Sequence, residues 1–379
     1  MKISFLCFDI SDNSFARAAL LADAISSHHE VELIGPAKQN KIWEPLKDCP
    51  HPVKLFPWKR YPSFLNVIPK IVKEANGDLI FACKLRPTSF GISLLAKRKI
   101  PILLDIDDWE LGFFNQANFW GKVGRSLNFS NPNGMPYTWL MEYLTGFADG
   151  ITVSNRFLQN RFGGTLAPHC RDVTKLDPEK FDDLKNKKKL GLEGKKTLMF
   201  LGTPRAHKGI EDLFSLLGKI QTPNLQLAVI GTPNFPFVKT TEKHNALEKR
   251  VTFLPRIPFS DLGVYLSAAD AIIIPQRHSM ATIGQMPAKI YDAMAMAKPI
   301  VSTNVSDIPE TIADCGYLVE PGNVDQLAQA VDSIFSNPEK SREMGKKARE
   351  RCTKLYDIKN LKNTLLNLIE ETTSKRRKK

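Results

Sequence analysis

The segment that decides the fold reads MFLGTPRAHKGIEDL and covers residues 199–213. Its apolar start predicts a buried strand that ends at Gly202, and the apolar spacing after Gly209 predicts a helix. The loop between them carries Arg205 and Lys208. Two cations beside the free N–H groups and positive end of a helix suit a diphosphate, whereas a solvated basic loop is the alternative. The phosphate-loop pattern G-x-x-x-x-G-K-[ST] is absent.

A second informative segment reads AIIIPQRHSMATIGQMPAKIYDAMAMAKPIV and covers residues 271–301. It predicts a buried strand, a loop, a helix that opens at Pro287 and another strand that opens at Pro299. The small residues of the helix allow a ligand or another backbone to come close. Asp292 is an acid in this helix, and its carboxylate is suited to accept hydrogen bonds from two ribose hydroxyls. An ordinary acid on the helix surface is the alternative.

Apolar runs and amphipathic segments alternate on both sides of these two segments. This alternation predicts mostly parallel, doubly wound α/β sheets. The predicted strands cover residues 1–8, 31–34, 78–82, 101–104 and 150–153, and then 197–201, 225–230, 250–253, 271–274, 299–303 and 317–319. The predicted helices cover residues 14–27, 209–217, 324–335, 338–351 and 360–370.

A polar stretch separates the two series of strands. We predict a first Rossmann-like domain over residues 1–171, a linker over 172–195 and a second Rossmann-like domain over 196–355. The two domains are expected to face each other across a cleft at the carboxyl ends of their strands, where such sheets bind ligands. Residues 356–371 are predicted to form a helix that returns to the first domain, and residues 372–379 a basic tail that is disordered in isolation.

Composition narrows the class of protein. The chain has 379 residues, 42% of them hydrophobic and 25% charged, as in ordinary globular domains. No run reaches the roughly 18 apolar residues of a membrane helix. Asp9 and Asp12 follow the apolar start, which predicts a first strand rather than a leader peptide. Six scattered cysteines without a C-x-x-C pair favour a reduced, cytoplasmic protein over a disulfide framework or a zinc site.

Charge and aromatic residues are unevenly distributed. The net charge is +13, and the sequence KRRKK at residues 375–379 supplies five of the positive charges. Such runs are solvated tails or bind anionic lipid head groups at the inner face of a membrane. No nucleic-acid-binding motif is present, so nucleic acid is not an expected partner. The irregular, tryptophan-rich segment 109–139 is a self-packed loop, or a surface for an acceptor or a lipid interface.

A third segment, LDIDDWE at residues 104–110, places three aspartates directly after a predicted strand. Recognition of an acceptor by Asp107 and Asp108 is the interpretation favoured by the family resemblance given below. A structural turn is the first alternative. Metal binding through Asp105 and Asp107 is the second, because D-x-D is a form that holds a divalent ion on a diphosphate in another transferase fold.

Taken together, these segments resemble glycosyltransferase family 4, a family with the GT-B fold. Gly202 and the Lys208-Gly209 pair match its strand, loop and helix. Supporting matches lie at residues 148–154, 168–172, 268–270 and 307–310, so the resemblance covers 148–310. Outside that span, only the strand and helix rhythm agrees.

The chain departs from the family pattern at several positions. The loop arginine that usually follows the glycine is replaced by Thr203, and Arg205 is expected to take its role. Of two family glutamates eight positions apart, Asp292 matches the second, while Gly284 stands at the first. His278 or Gln285 is the candidate to compensate. The glycine-rich loop that often follows the first strand is also absent, since residues 11–14 read SDNS.

The resemblance implies transfer of a sugar from a UDP-, GDP- or ADP-linked donor to a hydroxyl of a sugar or lipid-linked acceptor. It implies retention of configuration and no required cofactor or metal, in polysaccharide, lipopolysaccharide or glycolipid synthesis, at the cytoplasmic side of a membrane. The rival interpretations are a nucleotide-sugar epimerase of the same fold and a non-catalytic scaffold. The predicted catalytic residues are Arg205, Lys208, Asp107 and Asp108, and the predicted donor-binding residues are Gly202, Thr203, Lys208, His278, Gln285, Lys289 and Asp292.

Overall fold

Two units of structure are present in the computed structural model, which describes residues 1–96, 100–114, 119–231 and 249–377. The first unit comprises Met1–His169, Ile283–Met286 and Ile358–Lys379, and the second comprises Cys170–Thr282 and Pro287–Asp357. The chain therefore enters the second unit, visits the first again for four residues, and returns to the first with its final helix.

The first unit is built on a parallel sheet. Continuous apolar runs such as Leu79–Ala82 are buried on both faces, as a parallel sheet covered by helices requires. The described strands run in the order β3-β2-β1-β4-β5-β6-β7. They are β1 (Lys2–Cys7), β2 (Glu30–Ala37), β3 (Val53–Pro57), β4 (Leu79–Cys83), β5 (Ile102–Ile106), β6 (Gly150–Val153) and β7 (Thr165–Leu166).

Short helices connect these strands. Asn155 begins one of them by accepting a hydrogen bond from the backbone N–H of Leu158 at 2.9 Å, a typical N-terminal cap. The helices are α1 (Phe15–Ile25), α2 (Ile68–Glu74), α3 (Ile92–Ala96), α4 (Glu110–Phe114), α5 (Phe119–Ser126), α6 (Met135–Tyr143) and α7 (Arg156–Phe162).

The second unit repeats this architecture. Its described strands are all parallel and run in the order β10-β9-β8-β11-β12-β13. They are β8 (Lys196–Leu201), β9 (Leu225–Ile230), β10 (Val251–Leu254), β11 (Ala271–Ile274), β12 (Ile300–Thr303) and β13 (Tyr317–Val319). The helices are α8 (Asp183–Lys189), α9 (Ile210–Leu217), α10 (Leu262–Ser267), α11 (Lys289–Ala295), α12 (Ile308–Ile312), α13 (Val324–Ser336) and α14 (Pro338–Leu355).

The prediction of two Rossmann-like α/β domains with parallel sheets is confirmed. The sequence reasoning missed β3 and β7, because β7 has only two residues and β3 carries Lys54 and ends at Pro57. The segment 172–195 also differs from a linker. It contains α8, which is tied into the second unit by a 2.8 Å hydrogen bond from Asn186 to Ser267.

The final helix, α15 (Ile358–Arg377), packs against α1 in the first unit. It continues six residues beyond the predicted end at residue 371. Thr372 is buried, so the packed face of the helix extends into the segment predicted as tail. Lys378 and Lys379 lie outside the described residues. Within the described residues, none of the helices is both long enough and apolar enough to cross a lipid bilayer.

Candidate functional site

The loop after β8 has a backbone that only glycine permits. Gly202 has φ +100° and Gly209 has φ +70°. A Cβ at residue 209 would lie 1.9 Å from the carbonyl oxygen of Pro275, at the end of β11. Between the two glycines, Ala206–Lys208 form one turn of 3-10 helix that leads into α9. Because this loop contacts the end of β11 so closely, the residue that follows Lys208 in the sequence has to be glycine.

The predicted diphosphate residues lie on this loop. Arg205 is extended and exposed, whereas Thr203 and Lys208 are partly buried. The first turn of α9 holds a buried acid, Asp212, which Arg277 grips with two hydrogen bonds of 2.8 and 2.5 Å. The backbone N–H of Arg277 also donates to the His207 carbonyl at 3.0 Å. Arg277, which sequence reasoning missed, therefore ties the loop after β11 to the start of α9.

Lys289 is the first residue of α11, and its side chain reaches the loop after β8. Its Nζ donates to the carbonyl oxygen of Leu201 and lies 4.4 Å from the centroid of the Phe200 ring. A Cβ at residue 202 would be 3.3 Å from this nitrogen. Burial, with the positive charge of Lys208 next in importance, holds the pKa of Lys289 well below its usual value. The structure thus brings together Gly202, Lys208 and Lys289, three of the residues predicted to bind the donor.

Asp292, one turn further along α11, has a partner that the sequence did not reveal. Its Oδ1 accepts from Nε of Arg171. The guanidinium also donates to the carbonyls of Cys170 at 2.7 Å and Ala288 at 3.2 Å. Burial lowers the pKa of Arg171, but the charge of Asp292 outweighs it and raises that pKa. A carboxylate accepts at both oxygens, so this pairing leaves acceptor capacity for a ribose hydroxyl.

The two residues expected to compensate for Gly284 lie in different units. His278 is exposed on the loop after β11 in the second unit. Gln285 lies in the first unit, where its amide donates to Oδ1 of Asp108 at 3.0 Å. Gln285 therefore packs with the first unit, as part of the segment Ile283–Met286.

Gly284 itself has no room for a side chain. Its carbonyl accepts from the backbone N–H of Trp109 at 3.0 Å. A Cβ at residue 284 would lie 2.4 Å from the Cβ of Trp109. The close approach of the two backbones therefore explains why glycine stands where the resembling family carries its first glutamate.

The predicted acceptor residues belong to a cluster in the first unit. We call it the Lys84 cluster and define it as Lys84, Arg86, Asp107, Asp108 and Glu110. Nζ of Lys84 lies 2.9 Å from Asp107, 2.6 Å from Asp108 and 2.9 Å from Glu110. Arg86 bonds the second oxygen of Glu110. The cluster lies at the carboxyl ends of the neighbouring strands β4 and β5.

The protonation of the Lys84 cluster follows from its burial and charges. Burial disfavours the Lys84 ammonium, but the three carboxylates outweigh it and raise the pKa of Lys84. Burial raises the pKa of Asp107 to about 7, although Lys84 acts in the opposite direction. The pKa of Glu110 is lowered, because Arg86 and Lys84 overcome its burial. With both cations charged, three ionised carboxylates leave one negative charge in excess.

The three carboxylates also have the spacing of a metal site, with one oxygen from each within 4.8 Å of the others. The Lys84 ammonium lies among them and supplies the cation that they require. Asp105, the other half of the D-x-D pattern, accepts instead from Arg17 at 2.8 and 3.0 Å and from Thr152 at 2.8 Å. The arrangement therefore favours an internal ion cluster over a D-x-D metal site.

The tryptophan-rich segment exposes several aromatic side chains. Trp120 and Tyr143 are each 78% exposed, and Trp139 is 62% exposed. Trp109 differs, because it is buried and donates its indole N–H to Glu142 at 2.9 Å. The segment is thus anchored at Trp109 and presents apolar rings to solvent on α5 and α6.

Comparison with known proteins is consistent with this geometry. Residues 182–351 match the family of glycosyl transferases group 1. N-acetyl-alpha-D-glucosaminyl L-malate synthase of Bacillus anthracis is 29% identical over 186 residues, which are 48% of this chain and 44% of that protein. The chain thus spans about half the length of the first curated relatives it matches. Human alpha-1,3/1,6-mannosyltransferase ALG2 is 29% identical over 329 residues, covering 77% of this chain and 73% of that protein.

A solved structure extends the similarity of fold to nearly the whole chain. HepE of Anabaena, in complex with UDP-glucose, superposes with a TM-score of 0.73 at 17% identity, covering 98% of this chain and all of that one. This level of identity supports the fold alone. Residues 182–351 thus resemble the group 1 glycosyl transferases, and the two parallel, Rossmann-like sheets of the chain are those of the GT-B fold.

Proposed function

We propose that the protein transfers a glycosyl group from a nucleotide-sugar to an acceptor hydroxyl, with retention of configuration. The observation that carries the proposal lies in the second unit, where Nζ of Lys289 reaches the turn at Gly202 and interacts electrostatically with Lys208. Among the described residues, no carboxylate lies within ion-pair distance of Lys289. Because Lys289 lacks such an acid and Lys208 adds a second basic group, a diphosphate is the ligand class that suits this site best.

The second unit is proposed to stabilise the leaving nucleoside diphosphate. Lys208 and Lys289 offset its negative charge as the bond to the sugar breaks, which is electrostatic catalysis. Arg205, exposed on the same loop, grips phosphate oxygens once the donor is bound. Asp292, oriented by Arg171, accepts hydrogen bonds from ribose. A phosphate oxygen of the donor takes the acceptor proton on the same face of the sugar, which accounts for retention.

The first unit is proposed to position the acceptor. Asp107 and Asp108 follow β5 and are held by Lys84, so their carboxylates are fixed before the acceptor arrives. Fixed carboxylates are well suited to orient sugar hydroxyls through short hydrogen bonds. No metal is required in this proposal, because the cations come from side chains.

A binding and product test addresses this proposal. Thermal stability is measured with UDP-, GDP- and ADP-linked sugars, since a ligand of the folded state raises it. The donor that binds is then incubated with candidate acceptors, and the anomeric configuration of the product is read by NMR. An inverted product would contradict retention. Release of an altered nucleotide-sugar without any acceptor would favour the epimerase, and no binding at all would favour the scaffold.

We further propose that the protein works at an anionic membrane surface on a lipid-linked acceptor. The exposed rings of Trp120, Trp139 and Tyr143 suit a lipid interface, and the basic end of α15 suits anionic head groups. Sedimentation with vesicles containing anionic lipid provides the test. Substituting Trp120 and Trp139 by Ser, or removing residues 375–379, is expected to reduce binding several-fold. Binding that is unchanged in both variants would contradict the proposal.

A further inference from the structure

The surroundings of Lys289 are unusual for a lysine. The side chain is partly buried, and its described polar partner is the carbonyl of Leu201. Lys187, in contrast, lies 2.6 Å from Asp270, and Lys298 lies 3.5 Å from Asp183. Among the described residues, no carboxylate oxygen is within 4.0 Å of Lys289 Nζ. An ammonium here would therefore be stabilised by one carbonyl dipole and the face of the Phe200 ring.

The charged groups around Lys289 do not supply the missing counter-charge. The loop after β8 presents Lys208, a second cation, and also carries Arg205 and His207. On α11 itself, Asp292 raises the pKa of Lys289, but its carboxylate is also paired with Arg171, and its effect is smaller than those of burial and Lys208. From α14, which packs on α11, Arg349 donates to the carbonyl of Ala295 at the other end of the helix. Burial and Lys208 both disfavour the ammonium in the absence of a ligand, and the pKa of Lys289 is accordingly well below its usual value.

We propose that Lys289 is a neutral amine in the free protein and takes up one proton from solvent when the donor diphosphate binds. This inference rests on the proposed function and adds proton coupling to it. The diphosphate supplies the negative charge that stabilises the Lys289 ammonium, and it also offsets the electrostatic repulsion between Lys289 and Lys208. The new N–H bond forms on Nζ, the buffer loses the proton, and no other bond changes.

The coupling has a defined sign. Binding raises the pKa of the Lys289 amine, so proton uptake is largest between its free and bound values. In that interval, each unit rise in pH weakens donor binding by up to about tenfold, because one proton is taken up per donor. Below the interval Lys289 is already charged, and donor affinity no longer depends on this group.

Titration calorimetry in two buffers tests the inference. Binding of UDP-glucose, GDP-mannose and ADP-glucose is measured at pH 8.5 in Tris and in HEPPS, whose ionisation enthalpies differ. The difference in observed heat gives the number of protons taken up. For the donor that binds, we expect about one proton in the wild-type protein. A second measurement is the affinity at pH 7, 8 and 9, which we expect to fall as pH rises.

Two arginine variants locate the proton. Lys289→Arg stays charged throughout, so it is expected to bind the donor with uptake close to zero. Lys298→Arg is the matched control, since Lys298 also has a lowered pKa but lies beside Asp183 and donates to Ser267. It is expected to retain the wild-type uptake.

The outcomes separate this inference from the proposed function. Donor binding with equal heats in both buffers in the wild-type protein would overturn the coupling and leave the glycosyltransferase proposal standing. Uptake that persists in Lys289→Arg would assign the proton to another group and also overturn it. If none of the three donors binds, the proposed donor site fails, and the inference fails with it. If Lys289→Arg does not bind the donor, the binding heats of the wild-type protein in the two buffers and the pH dependence of its affinity still decide whether a proton is taken up.

Discussion

The carboxyl ends of the two sheets carry opposite arrangements of charge. In the first unit, three carboxylates surround Lys84, and Arg86 pairs with Glu110. In the second unit, Lys208 and Lys289 lie close together without a carboxylate beside Lys289 among the described residues. The same fold therefore presents one edge where acidic and basic side chains pair with each other, and one where the Lys289 amine has no acid beside it among the described residues.

The difference separates two uses of buried charge. A cluster that pairs internally fixes its side chains and contributes to the stability of the folded unit, since removing one member leaves the others unpaired. A buried lysine without an adjacent acid, such as Lys289, is costly to charge in the free protein and becomes easier to charge when an anionic ligand binds. We therefore expect substitutions in the first unit to change stability, and substitutions in the second to change donor binding.

The largest effect is expected for Lys84→Met. Removal of the ammonium leaves three carboxylates within 4.8 Å of one another. Loss of one partner from a buried ion cluster costs about 3–5 kcal/mol in the free energy of unfolding. Lys54→Met is the matched control, because Lys54 also bridges two carboxylates, at 2.9 and 2.8 Å, but in a more exposed position. Its expected cost is below about 1 kcal/mol. If Lys84→Met and Lys54→Met lost the same free energy of unfolding in urea, the buried cluster would not be more important for stability than the exposed ion pairs.

A pH dependence of stability is expected from Asp107. Since burial raises its pKa to about 7, the folded protein holds an extra proton between about pH 4 and 7, and stability falls as pH rises through that window. Asp107→Asn lacks this titration, so its stability relative to wild type should improve by up to about 4 kcal/mol from pH 4 to pH 8.

Glu110→Gln provides the opposite sign. The pKa of Glu110 is lowered by Arg86 and Lys84, so its ionised form contributes stability that is lost at acid pH. The deficit of this variant relative to wild type should therefore be larger at pH 7 than at low pH. The free energy of unfolding of both variants and of the wild-type protein is measured as a function of pH to check both predictions. If the curves of Asp107→Asn and Glu110→Gln ran parallel, the charges assigned to the two residues would be contradicted.

In the second unit, Lys208→Met is expected to lower kcat/KM about 100-fold, equivalent to about 2.7 kcal/mol, because one cation is lost from the departing diphosphate. Lys219→Met is the control, since Lys219 is an exposed lysine paired with Asp325 at 2.6 Å. Its activity should stay at the wild-type level. Near-normal turnover in Lys208→Met would place the diphosphate elsewhere.

A smaller effect is expected for Arg171→Lys, which keeps the charge but loses the guanidinium fork that holds Asp292 and the Ala288 carbonyl. Donor affinity should fall about tenfold, equivalent to about 1.4 kcal/mol. Arg349→Lys is the matched control, because Arg349 bonds the opposite end of α11. The affinity of both variants for the donor is measured by calorimetry. Equal losses of affinity would indicate that only the packing of α11 matters, and not the bond from Arg171 to Asp292.

Sequence reasoning located strands and loops better than it located partners. The strands Ala271–Ile274 and Tyr317–Val319 begin and end as predicted, because continuous apolar runs mark them. Arg171 and Asp292, in contrast, are 121 positions apart, and Arg277 and Asp212 are 65 apart. Ion pairs over such separations depend on the completed sheet, so composition and spacing do not reveal them.

Lys84 was within reach of sequence reasoning. It directly follows β4, just as Asp107 directly follows β5, and the carboxyl ends of neighbouring parallel strands meet at one edge. Residues 83 and 84, a cysteine followed by a lysine, form no known motif, whereas the three aspartates after β5 do stand out in the sequence. Partners of charged residues at one strand end are therefore best sought at the ends of the neighbouring strands.

The glycine at residue 284 also restricts which substitutions this sequence can accept during evolution. With the Cβ of Trp109 only 2.4 Å from where a Cβ at 284 would stand, one substitution cannot restore a side chain there. Glycine at 109 or a shift of backbone must come first, at the cost of a buried indole that bonds Glu142. Residues 109 and 284 are therefore expected to vary as a pair among relatives, with at least one of them glycine wherever the same close approach is kept.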